Sequence, residues 1–205
     1  MTNILSDDGV KLILDYEVSS EQYYNKFLQK PTVPAWQTTR SGVTIGIGWD
    51  CGYNTKSTLF KEWVDYLQSD YLDELSSVLG FTGKKAHDNL DKVSSVIVPY
   101  DAAINQFETY TIPRYYNLAT SAYPGLDSAP QSVKDVIVSL TFNRGTSVKG
   151  DTRTEMLKIK KDIAKKNYSD IIDQLISMKR LWPNTRGLLE RRDAESEFLR
   201  VRLDT

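Results

Sequence analysis

The chain has 205 residues, a net charge of −1, one cysteine and one histidine. Cys51 and His87 alone cannot make a disulfide, a zinc cluster or a histidine-based triad, which leaves carboxylates as the acid–base groups. No apolar run approaches the roughly 18 residues of a membrane span, and the length suits one well-buried domain in two lobes.

The start, Met1-Thr2-Asn3-Ile4-Leu5-Ser6-Asp7-Asp8, lacks the basic region and apolar stretch of a signal peptide, so synthesis in the cytoplasm and export by another route are expected. Ser6 can cap a first helix with Asp7 and Asp8 in its first turn. The apolar stripe Val10, Ile13, Leu14 continues to Glu17, a carboxylate where a core residue belongs. Burial there would raise its pKa, as a general acid near neutral pH requires. Residues 19–41, with Pro31 and Pro34, read as irregular structure over a short strand or hairpin.

The run Gly42-Val43-Thr44-Ile45-Gly46-Ile47-Gly48-Trp49-Asp50 alternates as a strand does. Val43, Ile45, Ile47 and Trp49 share one face, and Thr44, Gly46, Gly48 and Asp50 the other. A straight strand would hold Thr44 and Asp50 about 20 Å apart, at about 3.3 Å per residue. A turn at Gly46–Gly48 would bring them face to face, within reach of one water molecule. Asp50 also reads as a turn residue capping its own backbone, and Thr44 as an ordinary β-branched strand residue.

Asn54 or Thr55 starts a second helix. Phe60, Trp63, Val64, Leu67, Tyr71, Leu75 and Leu79 hold helical spacing for some 20 residues, long enough to join two lobes. Ala103 to Tyr110 reads as helix that Pro113 stops or kinks. Ser132 to Asn143 reads as helix with Val133, Val136, Ile137 and Leu140 inward and Gly145 near its C-cap. Further helices follow through Leu203, and in the last, Arg191, Arg192 and Glu195 lie among Leu188, Phe198 and Leu199. That pattern fits an Arg–Glu pair partly buried under the helix, or a surface pair. The class is α+β, mostly α. Residues 149–205 hold 14 Lys/Arg against 10 Asp/Glu. They read first as a solvated face and second as contact with an anionic polymer, without the density of a nucleic-acid stripe.

Glu17 followed by Thr44-Ile45-Gly46-Ile47-Gly48 resembles the phage-type lysozymes, muramidases that cut the glycan of bacterial peptidoglycan. The longer string from Ser41 to Asp50, with Gly52-Tyr53 behind it, is most similar to the pesticin-type branch. In that branch the catalytic Asp follows the Thr by six residues, and Glu17, Thr44 and Asp50 match those places. Phe142-Asn143-Arg144-Gly145, Met178-Lys179-Arg180-Leu181-Trp182 and Gly187 to Glu195 agree in the same order. T-even phage lysozymes differ. Their Asp lies upstream of the Thr, where this chain has Thr38, and a His follows their Gly-Ile-Gly, where this chain has Trp49.

The resemblance implies one lysozyme-like domain over residues 1–205. A β-containing lobe at about 15–58 and a helical lobe at about 59–205, together with the first helix, would be joined by a long helix. It implies hydrolysis of the β-1,4 bond between N-acetylmuramic acid and N-acetylglucosamine, with Glu17 as acid and Asp50 and Thr44 placing water or steadying charge. Trp36, Gly46, Gly48, Trp49 and Tyr53 would line the saccharide groove, while Trp63 and Trp182 belong to the core. One of Arg144, Arg191 or Arg192 would approach Glu17. No metal or organic cofactor is implied. The expected partners are peptidoglycan strands and an immunity or inhibitor protein, with no nucleic acid and no membrane span, for a monomer. The enzyme would act in the periplasm or cell wall, after holin release or delivery. A lytic transglycosylase and a catalytically silent wall-binding module are the alternatives.

Overall fold

A computed structural model describes residues 4–203. Met1, Thr2 and Asn3 of the N-terminal stretch read above lie outside the described residues. The chain is mostly helical with one small antiparallel sheet, as the sequence pattern indicates. It divides into two compact units, one formed by Glu17–Thr111 and the other by the residues up to Tyr16 together with those from Ile112. The β-containing unit therefore runs well past the edge near residue 58 drawn from sequence.

That unit opens with α2 (Glu21–Phe27), a helix not foreseen in the connector. Ser20 caps it, its hydroxyl accepting from the Tyr23 N–H at 3.1 Å, and Tyr24 on its inner face is fully buried. Strands β1 (Thr44–Ile45) and β2 (Trp49–Asp50) then form a hairpin with Thr44 opposite Asp50 and Ile45 opposite Trp49. The turn lies where the glycines fall: Gly46 and Gly48 have φ of +55° and +71°, open to glycine at little cost. A side chain at Gly46 would also meet the Trp63 ring, 2.7 Å from the built Cβ. Val43, Ile45, Ile47 and Trp49 are all buried, so the alternation chose the core face correctly. Thr44 is also bridged on its other side to Thr32, the short strand expected in the connector.

The long helix expected from Phe60 to Leu79 is two, α3 (Lys56–Trp63), capped by Thr55, and α4 (Ser69–Ser76). The buried positions explain the break. Leu59, Trp63 and Leu67 keep a four-residue step, but the next inward residues are Leu72, Leu75 and Val78, one position out of phase. Val64, on the expected stripe, is exposed. Next come α5 (Gly83–His87) and α6 (Tyr100–Gln106), which runs through a π-helical turn at 107–111 into α7 (Ile112–Ala122). Pro113 thus neither ends nor interrupts the run; a widened turn directly precedes the position that lacks an N–H.

The second unit begins with α1 (Asp7–Glu17), whose last residue belongs to the β-containing unit. Its inward residues are Gly9, Leu12 and Ile13; Val10 and Leu14 are only half-buried. The Ser6 hydroxyl accepts from Gly9 N–H at 3.0 Å and donates to the buried Asp135 carboxylate. Asp135 lies on α8 (Gln131–Arg144), which ends at Gly145 with φ +71°. Val133, Val136, Ile137 and Leu140 are buried as expected, and Val138, Ser139 and Thr141 are buried as well. Helices α9 (Thr154–Lys165), α10 (Asp170–Met178) and α11 (Arg186–Leu203) complete the unit. Among the described residues, no helix is long and apolar enough to cross a membrane.

Candidate active site

The hairpin register sets Thr44 and Asp50 side by side on one face, because residues directly opposite in an antiparallel pair project to the same side. Both are half-buried. The Asp50 carboxylate is held by backbone alone. Gly52 N–H donates to Oδ1 at 2.7 Å, and Gly42 N–H is shared between Oδ1 and Oδ2 at 3.0 Å each. The Asn54 side chain donates to the Asp50 carbonyl at 2.8 Å, fixing the residue's backbone too. The turn-capping role weighed for Asp50 is therefore present, and it leaves Oδ2 the less committed oxygen. Burial pushes the Asp50 pKa above its ordinary value, while the Gly42 and Gly52 N–H groups pull it partly back.

Gly42 and Gly52 are the site residues that the sequence reading passed over. A side chain at Gly42 would lie 2.4 Å from Asp50 Oδ1 and from Gly52 N. One at Gly52 would lie 2.8 Å from the Phe81 carbonyl and 3.0 Å from Asp50 Oδ1. Their signal was available as glycines eight residues before and two after the carboxylate. The Thr44 hydroxyl donates to the Gly42 carbonyl at 3.3 Å, which leaves its oxygen lone pairs to accept.

Glu17 ends α1 and is half-buried. Its neighbours fix it in the chain. The Tyr16 hydroxyl donates to the Glu190 carbonyl at 2.9 Å, Val18 is buried, and Ser19 turns the backbone at φ +58°. Glu17 belongs to the same compact unit as the hairpin.

The aromatic candidates separate. Tyr53 is 68% exposed, and its hydroxyl donates to the Arg40 carbonyl at 3.0 Å, tying the Trp36 loop to the segment after β2. Trp36 is half-buried and stacks on the exposed His87, with ring centroids 4.1 Å apart. Trp49 is corrected: only 2% exposed, it packs edge-on against Trp63 and donates its indole N–H to Glu62 at 2.8 Å. It shares the apolar face with Ile45, so it is core and lines no groove. Gly46 is half-buried and Gly48 exposed, and their evident work is the turn. Trp63 is core, whereas Trp182 is half-buried beneath the Arg144 guanidinium, 4.5 Å from its ring centroid. Cys51 is buried, and burial first, then Asp50, pushes its thiol up to about 12, far from a reactive thiolate.

Arg191 and Arg192 are buried with Glu195 rather than on the surface. Arg192 Nη2 lies 2.8 Å from Glu195 Oε1 and Arg191 Nε 3.5 Å from it, and Ser139 donates to the same oxygen at 2.7 Å.

A mostly helical chain with a helix-ending glutamate and a glycine-turned hairpin pairing Thr with Asp is a protein of the lysozyme class. The chain belongs to the family described as "Pesticin: Bacterial toxin homologue of phage lysozyme, C-term", matched over residues 15–168. That span contains Glu17, Thr44 and Asp50, and membership makes the chain a lysozyme-type cell-wall hydrolase with peptidoglycan as its substrate class. None of the curated proteins compared matches the chain.

Proposed function

We propose that this protein hydrolyses the β-1,4 bond between N-acetylmuramic acid and N-acetylglucosamine, killing bacteria by opening their wall. One observation carries the reading: Thr44 and Asp50 are paired across a two-residue-strand hairpin, with the Asp50 carboxylate held by the Gly42 and Gly52 N–H groups. A carboxylate fixed by backbone donors keeps its orientation without a flexible partner. Its less committed Oδ2 and the Thr44 oxygen can both accept hydrogen bonds from one water. Glu17 protonates the departing oxygen while that water, deprotonated by Asp50, attacks the anomeric carbon from the opposite face. The product then has inverted configuration, which requires carboxylates about 6.5–9.5 Å apart rather than the 5–5.5 Å of nucleophilic attack. Trp36 and Tyr53 supply aromatic faces to the sugars.

The chain works as a monomer without a metal or organic cofactor, reaching the wall by holin release or by delivery into a competitor, where an immunity protein would guard the producer.

The test is turnover of a defined wall oligosaccharide followed by proton NMR at early times. The α-anomer should appear first, and Glu17→Gln should keep the fold and fall below about 1% of the parent rate, a loss in keeping with removal of a general acid. A β-anomer first would make the enzyme retaining, and 1,6-anhydro ends would make it a lytic transglycosylase.

A further inference from the structure

His87 is the chain's one histidine, and neither the fold nor the proposed chemistry uses it. It ends α5, exposed, and among the described residues its side chain makes no hydrogen bond or ion pair. What it makes is a stack. Its ring lies 4.1 Å from that of Trp36, centroid to centroid, with 10° between the planes. An exposed imidazole gains little from burial, so a near-parallel pair drawn from two distant segments calls for another reason.

Both segments are anchored to the hairpin that carries Thr44 and Asp50, all within the Glu17–Thr111 unit. The Trp36 loop leaves from Thr32, which is bridged to Thr44, and returns at Gly42, whose N–H holds the Asp50 carboxylate. Trp36 stands four residues past Thr32. It therefore lies within about 14 Å of it, at about 3.5 Å per extended residue. On the other arm, Gly80 N–H donates to the Cys51 carbonyl at 3.1 Å and Gly83 N–H to the Ser41 carbonyl at 2.8 Å. The stack is a further tie between the two arms.

Trp36 is itself prepared for a ligand. Ala35, directly before it, has φ +45°, a left-handed backbone that a residue with a Cβ adopts at a cost. The Thr38 and Thr39 N–H groups fix that turn by donating to the Ala35 carbonyl at 2.9 Å each. The Trp36 indole N–H has no acceptor among the described residues, whereas that of Trp49 ends on Glu62. A half-buried indole with a free N–H offers a sugar an apolar surface and a donor for a hydroxyl or an acetamido carbonyl. The imidazole on one face of that indole fixes the plane of the ring.

We propose that His87 is a positioning residue for glycan binding: its imidazole holds the Trp36 indole in the orientation that meets an N-acetylated sugar. The proposal rests on the reading of Thr44, Asp50 and Trp36 as parts of one saccharide groove. Without the stack, Trp36 is divided among rotamers, and affinity falls with the fraction that stays aimed.

The experiment uses the whole chain carrying Glu17→Gln, so that a tetrasaccharide of alternating N-acetylglucosamine and N-acetylmuramic acid is bound and not consumed. Binding is read by calorimetry, and turnover of the same sugar is followed with Glu17 intact. His87→Ala should weaken binding about threefold to tenfold, the range of one aromatic pair. With Glu17 intact it should raise KM by the same factor and leave kcat unchanged. His87→Phe keeps a planar ring and should stay within about twofold of the parent. In a Trp36→Ala background, His87→Ala should change nothing further, since a residue acting through Trp36 has no effect once Trp36 is gone. Both His87 variants should melt with the parent, as an exposed side chain allows. Equal binding by the parent and His87→Ala would overturn the proposal. So would a loss that persists without Trp36, one that His87→Phe does not recover, or a parent that does not bind the tetrasaccharide. A chain that binds it with Glu17 intact but leaves it uncut would overturn the proposed cleavage alone, because the binding comparison stands without turnover.

Discussion

At the residue scale, burial of the Asp50 carboxylate carries a cost to stability that the catalytic role proposed above would explain. Its charged form is half out of water, and two backbone N–H groups offset only part of that loss. A carboxylate whose pKa rises on folding binds protons more tightly in the folded state, so its contribution to stability falls as pH rises from the unfolded to the folded pKa. The penalty is complete above the folded value and disappears in acid. Asn in the same place can still accept from Gly42 and Gly52 without carrying charge. Asp50→Asn should therefore gain about 0.5–1 kcal/mol at neutral pH, discounted for partial solvent contact, or about 2 °C in melting temperature. That gain should shrink as pH falls through the folded pKa, while turnover is severely cut at every pH. Parallel melting curves for the two proteins from acid to neutral pH check it; a constant gap would mean that the Asp50 charge costs the fold nothing.

At the element scale, the hairpin was legible because strand alternation and two spaced glycines speak for themselves. Its support was not. The alternation puts Trp49 on the face of Val43, Ile45 and Ile47, while its aromatic ring suits a saccharide groove, and spacing alone does not choose between the two. Only packing shows that its indole N–H ends on Glu62 of α3, a buried carboxylate to which Gln106 also donates at 3.0 Å. Apolar periodicity cannot reveal such a residue, since a buried glutamate reads as a gap in the stripe. The break between α3 and α4 was hidden for a similar reason: a one-residue phase slip needs neither glycine nor proline. Glu62→Leu should strand two buried donors and cost about 2–4 kcal/mol, at about 1–3 for each. Glu62→Gln keeps a carbonyl oxygen in place and should cost under about 1 kcal/mol. Urea unfolding of both variants measures this, and similar losses for the two would show that the hydrogen bonds to Trp49 and Gln106 are not what Glu62 contributes.

At the scale of the whole molecule, each unit is built around an apolar core that encloses charge: Glu62 in one, and Arg191, Arg192 and Glu195 in the other. The order of helices and the mostly α class follow from apolar spacing, which also placed Val133, Val136, Ile137 and Leu140 correctly. The division at Thr111–Ile112 does not follow from it, because the helical run from Tyr100 to Ala122 passes through that point with no composition change or linker. The Arg–Glu stripe of α11 was visible, but its depth was not: charge among leucines looks the same at a surface and in a core. Depth decides the energetics. Burial lowers the Arg192 pKa most, Glu195 pulls it back up, Arg191 lowers it further and Tyr16 raises it slightly. Removing Glu195 would take from the fully buried Arg192 the carboxylate 2.8 Å from its Nη2, the situation in which breaking a buried pair costs about 3–5 kcal/mol. Glu195→Leu should thus lower the melting temperature by about 10 °C, at about 2–4 °C per kcal/mol for a chain of this size. Glu195→Gln retains an acceptor for Ser139 and Arg192 but no charge, so it isolates the electrostatic part and should recover less than half of the loss. A Gln variant as stable as the parent would show that hydrogen bonding alone, and not the counter-charge, keeps the two arginines inside.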